Sequence, residues 1–482
     1  MTYTVLRILM YVLGIVGTAL LLPLSVAYLK GESAMIPVFL LPMVFAWLSS
    51  LLFFVKARGK PKIVGIQDAF GIVGGLWIAI CIFGSLPLYF SGCFASYTDA
   101  LFESVSGFTT TGATVLSDVE SLPSSINVWR CTTHWLGGLG VVALAVAMIP
   151  LLGAGGFRLI KAETTGPDKG KFTASIASTA KILWFVYFGL TALQTLLLWC
   201  CGLGIIDSLT HAFSTLGTGG FSTRNASVGA FGIPAVEWIC TVFMLLSSVS
   251  FLLYCRLLTG RTWDVLKNSE LKMFFGVVAV AVLSIFTFEA ANTAPGMNLF
   301  RDVSFQVASV ISTTGFMTYD YTRMLPASQI IIIALFFTGG CSGSTSGGIK
   351  IVRWTVLSKQ LANEIRKLIH PYGVFSLRLN GIAARDTVVT SVAAFIFAFL
   401  LLVLLSTVFG ALAGLDVGTA FTAGLSMMGN VGPAFGSLGP SGNYGDIPAL
   451  LKLWYMFAML AGRLEIYTLL ILLGCFTRSR DK

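Results

Sequence analysis

The sequence predicts an all-α integral membrane protein, with two N-terminal spans followed by four parallel membrane–pore-helix–membrane repeats around a central pore: ten spans and four half-helices. Three observations predict it. The 482 residues are 56% hydrophobic and only 11% charged, against roughly 25% charged in soluble domains, and mean hydropathy is +0.86, so lipid must cover most of the surface. Apolar runs long enough to cross a core of ~30 Å recur along the chain. Between alternate pairs of runs lie four polar stretches too short to span, each running into a Gly-rich turn.

The first run, 4–28, carries only Arg7 as a charge and leads into a second, 34–56, without a small-residue cleavage site; it reads as a retained span rather than a signal peptide. Further runs lie near 69–90, 128–152, 176–202, 232–258, 271–290, 328–352, 386–410 and 448–476. The short helices are expected at 97–108, 206–216, 299–311 and 415–428, followed by TTTGATV (109–115), GTGGFST (217–223), STTGFMT (312–318) and GNVGPAFG (429–436). Gly112, Gly220, Gly315 and Gly432 are spaced 108, 95 and 117 residues apart, a degenerate fourfold repeat. The chain then divides into a leading pair (1–62) and repeats at 63–170, 171–264, 265–375 and 376–482.

Charge sets the orientation. Residues 30–34, 91–130, 203–237, 289–326 and 411–452, on the short-helix side, hold 6 Lys+Arg and 12 Asp+Glu, leaving 25 basic and 9 acidic residues elsewhere. By the positive-inside rule the turns open outward and both termini are cytoplasmic. The net charge of +10 therefore faces the cytoplasm and needs no nucleic-acid partner. Each unit dips from the same side, which fits a ring around one axis better than an inverted-repeat rocker.

Irregular backbone at membrane depth is tolerated only where it is buried in protein or lines water. Four turns dipping from one side therefore converge on a shared aqueous axis. Each short helix ends just before its turn and aims the partial negative charge of its C-terminus, roughly half an electron, at that axis. Backbone carbonyls climbing back along the axis replace an ion's hydration shell, and Gly permits the angles this needs. Thr109, Thr110, Thr111, Thr313 and Thr314 add hydroxyls, and no carboxylate lies within the turns. Oxygen without fixed charge suits a monovalent cation over calcium or magnesium, which recruit carboxylates. A single Gly/Thr loop would read as a mere helix cap; four in register argue for a pore.

The eighth run is interrupted by TGGCSGSTSGG (338–348). Each interior Gly costs a helix up to ~1 kcal/mol against Ala, so no continuous helix is expected. The stretch lacks the GxxxxGK[ST] spacing and the preceding strand of a P-loop. A break at mid-membrane below the pore reads as a gate rather than a passive kink. Arg463 lies inside the last run, where a charge costs at least ~2.5 kcal/mol. Three roles fit it: a contact with carbonyls of 338–348, repulsion of cations in the lower pore, or an ion pair with another helix. Glu465, two residues on, points to a different face.

The nine cysteines form no CxxC pair and read as small buried hydrophobes. His134, His211 and His370 share no ligand spacing, and His211 reads as a packing residue of the second short helix. No nucleophile–base–metal constellation and no GxSxG elbow appears, so an enzyme is not expected.

At these residues the chain resembles the TrkH/TrkG/KtrB superfamily of bacterial potassium uptake proteins, the TrkH branch most closely. The matching stretches are TTTGATV (109–115), WLGGLGVVALAVAMIPLLGAGG (135–156), KAETTGPDKGK (161–171), GGFST (219–223), TGGCSGSTSGGIK (338–350), NVGP (430–433) and GRLEIYTLL (462–470). The resemblance implies four membrane–pore–membrane repeats with a single-glycine K⁺ filter in each: Thr110-Thr111-Gly112-Ala113, Thr218-Gly219-Gly220-Phe221, Thr313-Thr314-Gly315-Phe316 and Asn430-Val431-Gly432-Pro433. It implies a gating loop containing Gly339, Gly340, Gly343, Gly347 and Gly348, with Arg463 beneath the filter. It also implies a homodimer in the bacterial inner membrane with one pore per subunit. A cytosolic RCK-type (TrkA-like) nucleotide-binding regulator is expected as a separate chain, since no loop here is long enough to hold it. K⁺ is the only bound ligand expected, with no organic cofactor. The expected function is K⁺ uptake driven by membrane potential. The rival expectation is an alternating-access K⁺/H⁺ or K⁺/Na⁺ symporter, motivated by the broken eighth span and Arg463.

Overall fold

A computed structural model describes residues 3–56, 66–151, 176–258, 260, 262–292, 296–380, 382–383, 386–466 and 468. The motif KAETTGPDKGK (161–171), residues 152–156 of the preceding motif and the end of GRLEIYTLL lie outside the described residues, as does most of the basic cluster from Lys56 to Lys62. The leading pair consists of α1 (Tyr3–Ala19), which passes almost directly into α2 (Leu21–Leu29), and α3 (Ile36–Lys56). Four long–short–long units follow. The first is α4 (Ile66–Phe90), α5 (Tyr97–Phe108) and α6 (Ser124–Leu151). The second is α7 (Ile176–Cys200), α8 (Ile205–Gly217), α9 (Pro234–Ser247) and α10 (Phe251–Leu258), trailed by the single turn α11 (Thr262–Leu266). The third is α12 (Ser269–Ala290), α13 (Met297–Ile311), α14 (Pro326–Phe336) and α15 (Ile351–Ile369). A two-residue-per-strand hairpin, β1 (Arg378–Leu379) with antiparallel β2 (Ile382–Ala383), leads to the fourth: α16 (Asp386–Leu412), α17 (Val417–Gly429) and α18 (Ala449–Arg463).

Among the described residues six helical stretches are long and apolar enough to cross a membrane: Leu6–Leu29, Ser33–Val55, Val73–Phe90, Lys181–Cys200, Ser269–Ala290 and Thr387–Leu412. Their outward faces stay apolar, with Phe185 75% and Phe397 70% exposed, as lipid-facing helices require. The chain is thus a multi-pass membrane protein.

The remaining runs are less simple than ten uninterrupted spans. Run 232–258 is bent by 91° between α9 and α10, because backbone groups at the break bond to a distant segment: the Ser248 carbonyl accepts from Cys341 N (2.8 Å) and Phe251 N donates to Gly343 O (3.1 Å). The eighth run is an 11-residue helix, α14, ending at Phe336 before the Gly-rich stretch. α18 closes at Arg463, since Glu465 takes a left-handed φ of +57°.

Packing closes the units into a ring. Each short helix sits between the long helices of its own unit, and the second long helix of each unit packs on the short helix of the next: α6 on α8, α9 on α13, α14 on α17 and α18 back on α5. The leading helices pack outside unit one, where Glu32 accepts from Ser124 N (2.7 Å) and Ser125 N (3.1 Å) and caps α6.

Candidate functional site

The four turns share one backbone conformation. Counting back from each key glycine, the residue two before it is left-handed in all four: Thr110 (φ 53°), Thr218 (55°), Thr313 (57°) and Asn430 (53°). The glycine itself is also left-handed, at 80° for Gly112, 84° for Gly220, 77° for Gly315 and 99° for Gly432, where any side chain is strained. The amide one before the glycine returns to a carbonyl five residues earlier: Thr111 N to Ser106 O (2.9 Å), Gly219 N to Ser214 O (2.8 Å), Thr314 N to Ser309 O (2.9 Å) and Val431 N to Ser426 O (3.0 Å). A serine thus stands six before every key glycine. Aligning the turns on their glycines shows it; reading along the chain does not.

The turns meet head to tail. A Cβ on Gly112 would collide with the carbonyl oxygen of Gly219, on Gly220 with that of Thr314, on Gly315 with that of Val431, and on Gly432 with that of Thr111. Each glycine therefore faces the carbonyl one residue before the next glycine, and the fourth contact closes the circle. Thr110, Thr111, Thr218, Thr313, Thr314 and Asn430 are all fully buried. The Asn430 amide donates to Thr111 Oγ1 (3.0 Å) and Met459 O (2.9 Å), tying the fourth turn to the first. All four glycines also line one cavity of about 160 Å³, so the ring has a mouth. The C-termini of α5, α8, α13 and α17 adjoin it, and their partial negative charges favour a cation there.

The 338–348 stretch lies against one side of this ring. Gly339 and Gly348 pair as an isolated antiparallel bridge that pinches the loop's neck. Gly347 N donates to Thr313 Oγ1 (2.7 Å), and a Cβ on Gly347 would fall 2.7 Å from Gly429 O, so the loop touches the third and fourth turns. Gly340 has no room for a Cβ, which would lie 2.5 Å from Ser346 Oγ and 2.8 Å from Ser248 O, and Gly343 has a φ of +72°. Ser346 Oγ donates to Ser248 Oγ (3.0 Å), and Thr345 Oγ1 to Ser247 O (3.2 Å). The Glu270 carboxylate accepts from Ser342 N (2.5 Å). Lys350 Nζ reaches the Ser346 carbonyl (2.5 Å). Arg463, 6% exposed, donates from Nη1 to Thr345 O (2.6 Å) and from Nη2 to Gly137 O (3.2 Å). Its contacts are therefore with carbonyls, one of the loop and one of α6, rather than with an acid, while Glu465 pairs with Arg353 of α15.

The other buried charges sit in pairs, as desolvated ions must. Arg130 meets Glu103 at 2.7 Å, both essentially inaccessible, and Lys452 meets Asp99 at 2.6 Å, joining α18 to α5. At the mouth, exposed Asp118 accepts from Asn225 Nδ2 (2.8 Å) and from Glu120 N (3.0 Å). The Asn225 bond and then the Glu120 amide hold its carboxyl below its ordinary value of 3.8. Among the described residues no cluster of His, Cys, Asp or Glu could hold a metal ion.

A multi-pass helical bundle whose four short helices end on a closed, carboxylate-free ring of backbone oxygens defines a membrane transport protein for cations. The TrkH model, described as a cation transport protein, matches residues 38–476, and the chain belongs to the TrkH family, whose members are ion transporters and not enzymes. It is 38% identical over 428 residues to a Trk system potassium uptake protein TrkH of Halomonas elongata, covering 87% of this chain and 88% of that protein. It is 33% identical over 481 residues to the Trk system potassium uptake protein TrkG of Escherichia coli K12, covering 97% of each. The crystal structure of the potassium transporter TrkH from Vibrio parahaemolyticus superposes with a TM-score of 0.87 at 33% identity, over 98% of both chains.

Proposed function

We propose that this chain is a channel-like potassium uptake protein of the bacterial inner membrane. The observation that carries the reading is the closed ring in which each of four glycines faces the carbonyl oxygen of the next turn. In this reading K⁺ is the cargo, and the chain uses no organic cofactor. The carbonyls of residues 110–112, 218–220, 313–315 and 430–432 replace its hydration shell, and the four helix C-termini lower the cost of holding a cation at the axis. The absence of a carboxylate in the turns favours a monovalent ion. The names of the relatives, potassium uptake and potassium transporter, point to K⁺ among monovalent ions. Membrane potential supplies ~2.3 kcal/mol per charge per 100 mV, enough to drive entry.

The loop 338–348 is the gate in this reading. It lies against the third and fourth turns, held by Thr313 from one side and Arg463 from another; opening exchanges those bonds for water. The protein works as a homodimer with cytoplasmic termini, and an RCK-type nucleotide-binding subunit docks on its basic face. The repeat boundaries 63, 171, 265 and 376 place one filter segment in each unit.

Flux of ⁸⁶Rb⁺ into liposomes holding the purified protein, compared with Na⁺ and Li⁺ and with pH varied, tests this. Fast, K⁺-like flux that follows an imposed voltage and ignores a proton gradient is expected. Flux that tracks a proton or sodium gradient would replace the channel by a symporter.

A further inference from the structure

A second register recurs in the short helices, nine residues before each key glycine: Glu103, His211, Gln306 and Ala423. The first three are buried, at 0%, 1% and 1% exposure, and each reaches across to the limb that climbs away from its own glycine. Glu103 accepts from Thr114 Oγ1 (2.9 Å) and Val115 N (3.1 Å), the residues two and three past Gly112. His211 Nε2 meets Ser222 Oγ (2.9 Å), two past Gly220. Gln306 Nε2 donates to Tyr319 O (2.8 Å), four past Gly315.

The three chemistries differ, but the span is the same. His211 Nδ1 lies 2.8 Å from Asp207 O, a pure acceptor, and so carries the proton. In the neutral ring Nε2 is then free to accept from Ser222, whose Oγ accepts in turn from Arg224 N (3.0 Å). In the fourth turn Ala423 cannot reach, and the limb is held from elsewhere. Phe435 N donates to Thr422 Oγ1 (3.2 Å), Tyr444 donates to Gly432 O (2.9 Å), and Tyr321 of the third unit donates to Ala434 O (2.8 Å). No limb is left without a polar tie.

We infer that Glu103, His211 and Gln306 are positioning residues, each bracing the ascending limb of a turn against its short helix and so fixing the size of the ring. Tyr444 and Tyr321 do the same for the fourth turn. The inference rests on reading the four turns as the filter. On the size-fit account of carbonyl filters, discrimination against Na⁺ comes from oxygens that cannot close in on a smaller ion. A limb cut loose from its helix can contract, so loss of a brace admits Na⁺ rather than merely slowing K⁺.

The test is initial uptake of ⁸⁶Rb⁺ and ²²Na⁺ in bacteria lacking their own K⁺ uptake and expressing the full chain. His211→Ala and Gln306→Leu should each lower the Rb⁺/Na⁺ ratio about three- to tenfold, the worth of one hydrogen bond, with Na⁺ uptake rising in absolute terms. Ser222→Ala, which leaves His211 in place, should move the ratio the same way, and His211→Gln should restore part of it. Loss of both fluxes together at an unchanged ratio would reduce the braces to fold stability and overturn the inference. Should the first two variants fail to reach the membrane, Ser222→Ala decides. Gly315→Ala is the companion: if it shifts the ratio and the brace variants do not, the braces fail and the filter stands. If Gly315→Ala also leaves the ratio unchanged, or the parent carries no Rb⁺, the filter reading itself falls and takes the braces with it.

Discussion

The four turns and the 338–348 loop are both Gly-rich irregular backbone, yet they are held in opposite ways. Each turn is fixed locally by its own helix C-terminus, with the same two left-handed residues and the same returning amide four times over. Each is then wedged against the next turn by backbone with no room to give. The loop has its neck bridge and a few bonds of its own, and otherwise hangs from remote groups: Ser247, Ser248, Glu270, Thr313 and Arg463. Backbone wedged against backbone around a closed circle has one arrangement, whereas the loop's bonds, to side chains and to the backbone of Ser247, Ser248 and Phe251, hold one segment without closing a ring. In the reading proposed above, the same composition serves a fixed ring in one place and a releasable plug in the other.

The contrast is broken most sharply at the ring. Gly432→Ala places a Cβ against Thr111 O at a φ of +99°, which strained backbone tolerates at ~1–3 kcal/mol before the collision is counted. K⁺ uptake should fall by about a hundredfold with normal insertion, measured by ⁸⁶Rb⁺ flux and membrane abundance; normal uptake would separate the ring from conduction. Deleting 341–347 should raise basal cation leak about tenfold, since it removes a plug and leaves the turns' own caps intact. A leak equal to the parent's would make the loop a passive kink. Arg463→Gln loosens one of the loop's tethers, the bond to Thr345 O, together with a bond to α6 at Gly137 O, and should raise leak about threefold.

The smallest effect belongs to the mouth. Asp118 is exposed, and its carboxyl is held below its ordinary value by Asn225 and the Glu120 amide, so its charge persists as pH falls and is lost only below 3.8. Asp118→Asn should slow K⁺ entry by less than about twofold at low salt, with no difference at high salt. That deficit should be constant from pH 7 down to pH 5. A deficit that vanished near pH 6 would mean that another group carries the effect.

Much of this was legible in the sequence because the signals are local. The short helices lie within two residues of the expected 97–108, 206–216, 299–311 and 415–428, where polar, capped stretches interrupt apolar runs. Ser96 and Asp416 accept from amides at the N-termini of the first and fourth. What escaped is set at a distance. The 91° bend after Ser247 falls in a run interrupted there only by Ser247, Ser248 and Ser250, which do not by themselves end a helix; its cause is a loop nearly a hundred residues later. The end of α18 beyond Arg463 depends on a left-handed Glu residue paired with Arg353. His211 read as packing because its partner, Ser222, becomes meaningful only once the turn between them is folded.

The circle of turns also bears on synthesis. Its last link joins Asn430 to Thr111, 319 residues apart in the chain, so no nascent polypeptide can complete the ring until its fourth unit has entered the bilayer. Such long-range closure comes late in assembly. A ribosome that stalls after the third unit leaves the circle open, with neither the Val431 carbonyl that Gly315 faces nor the Gly432 that faces Thr111 yet in place.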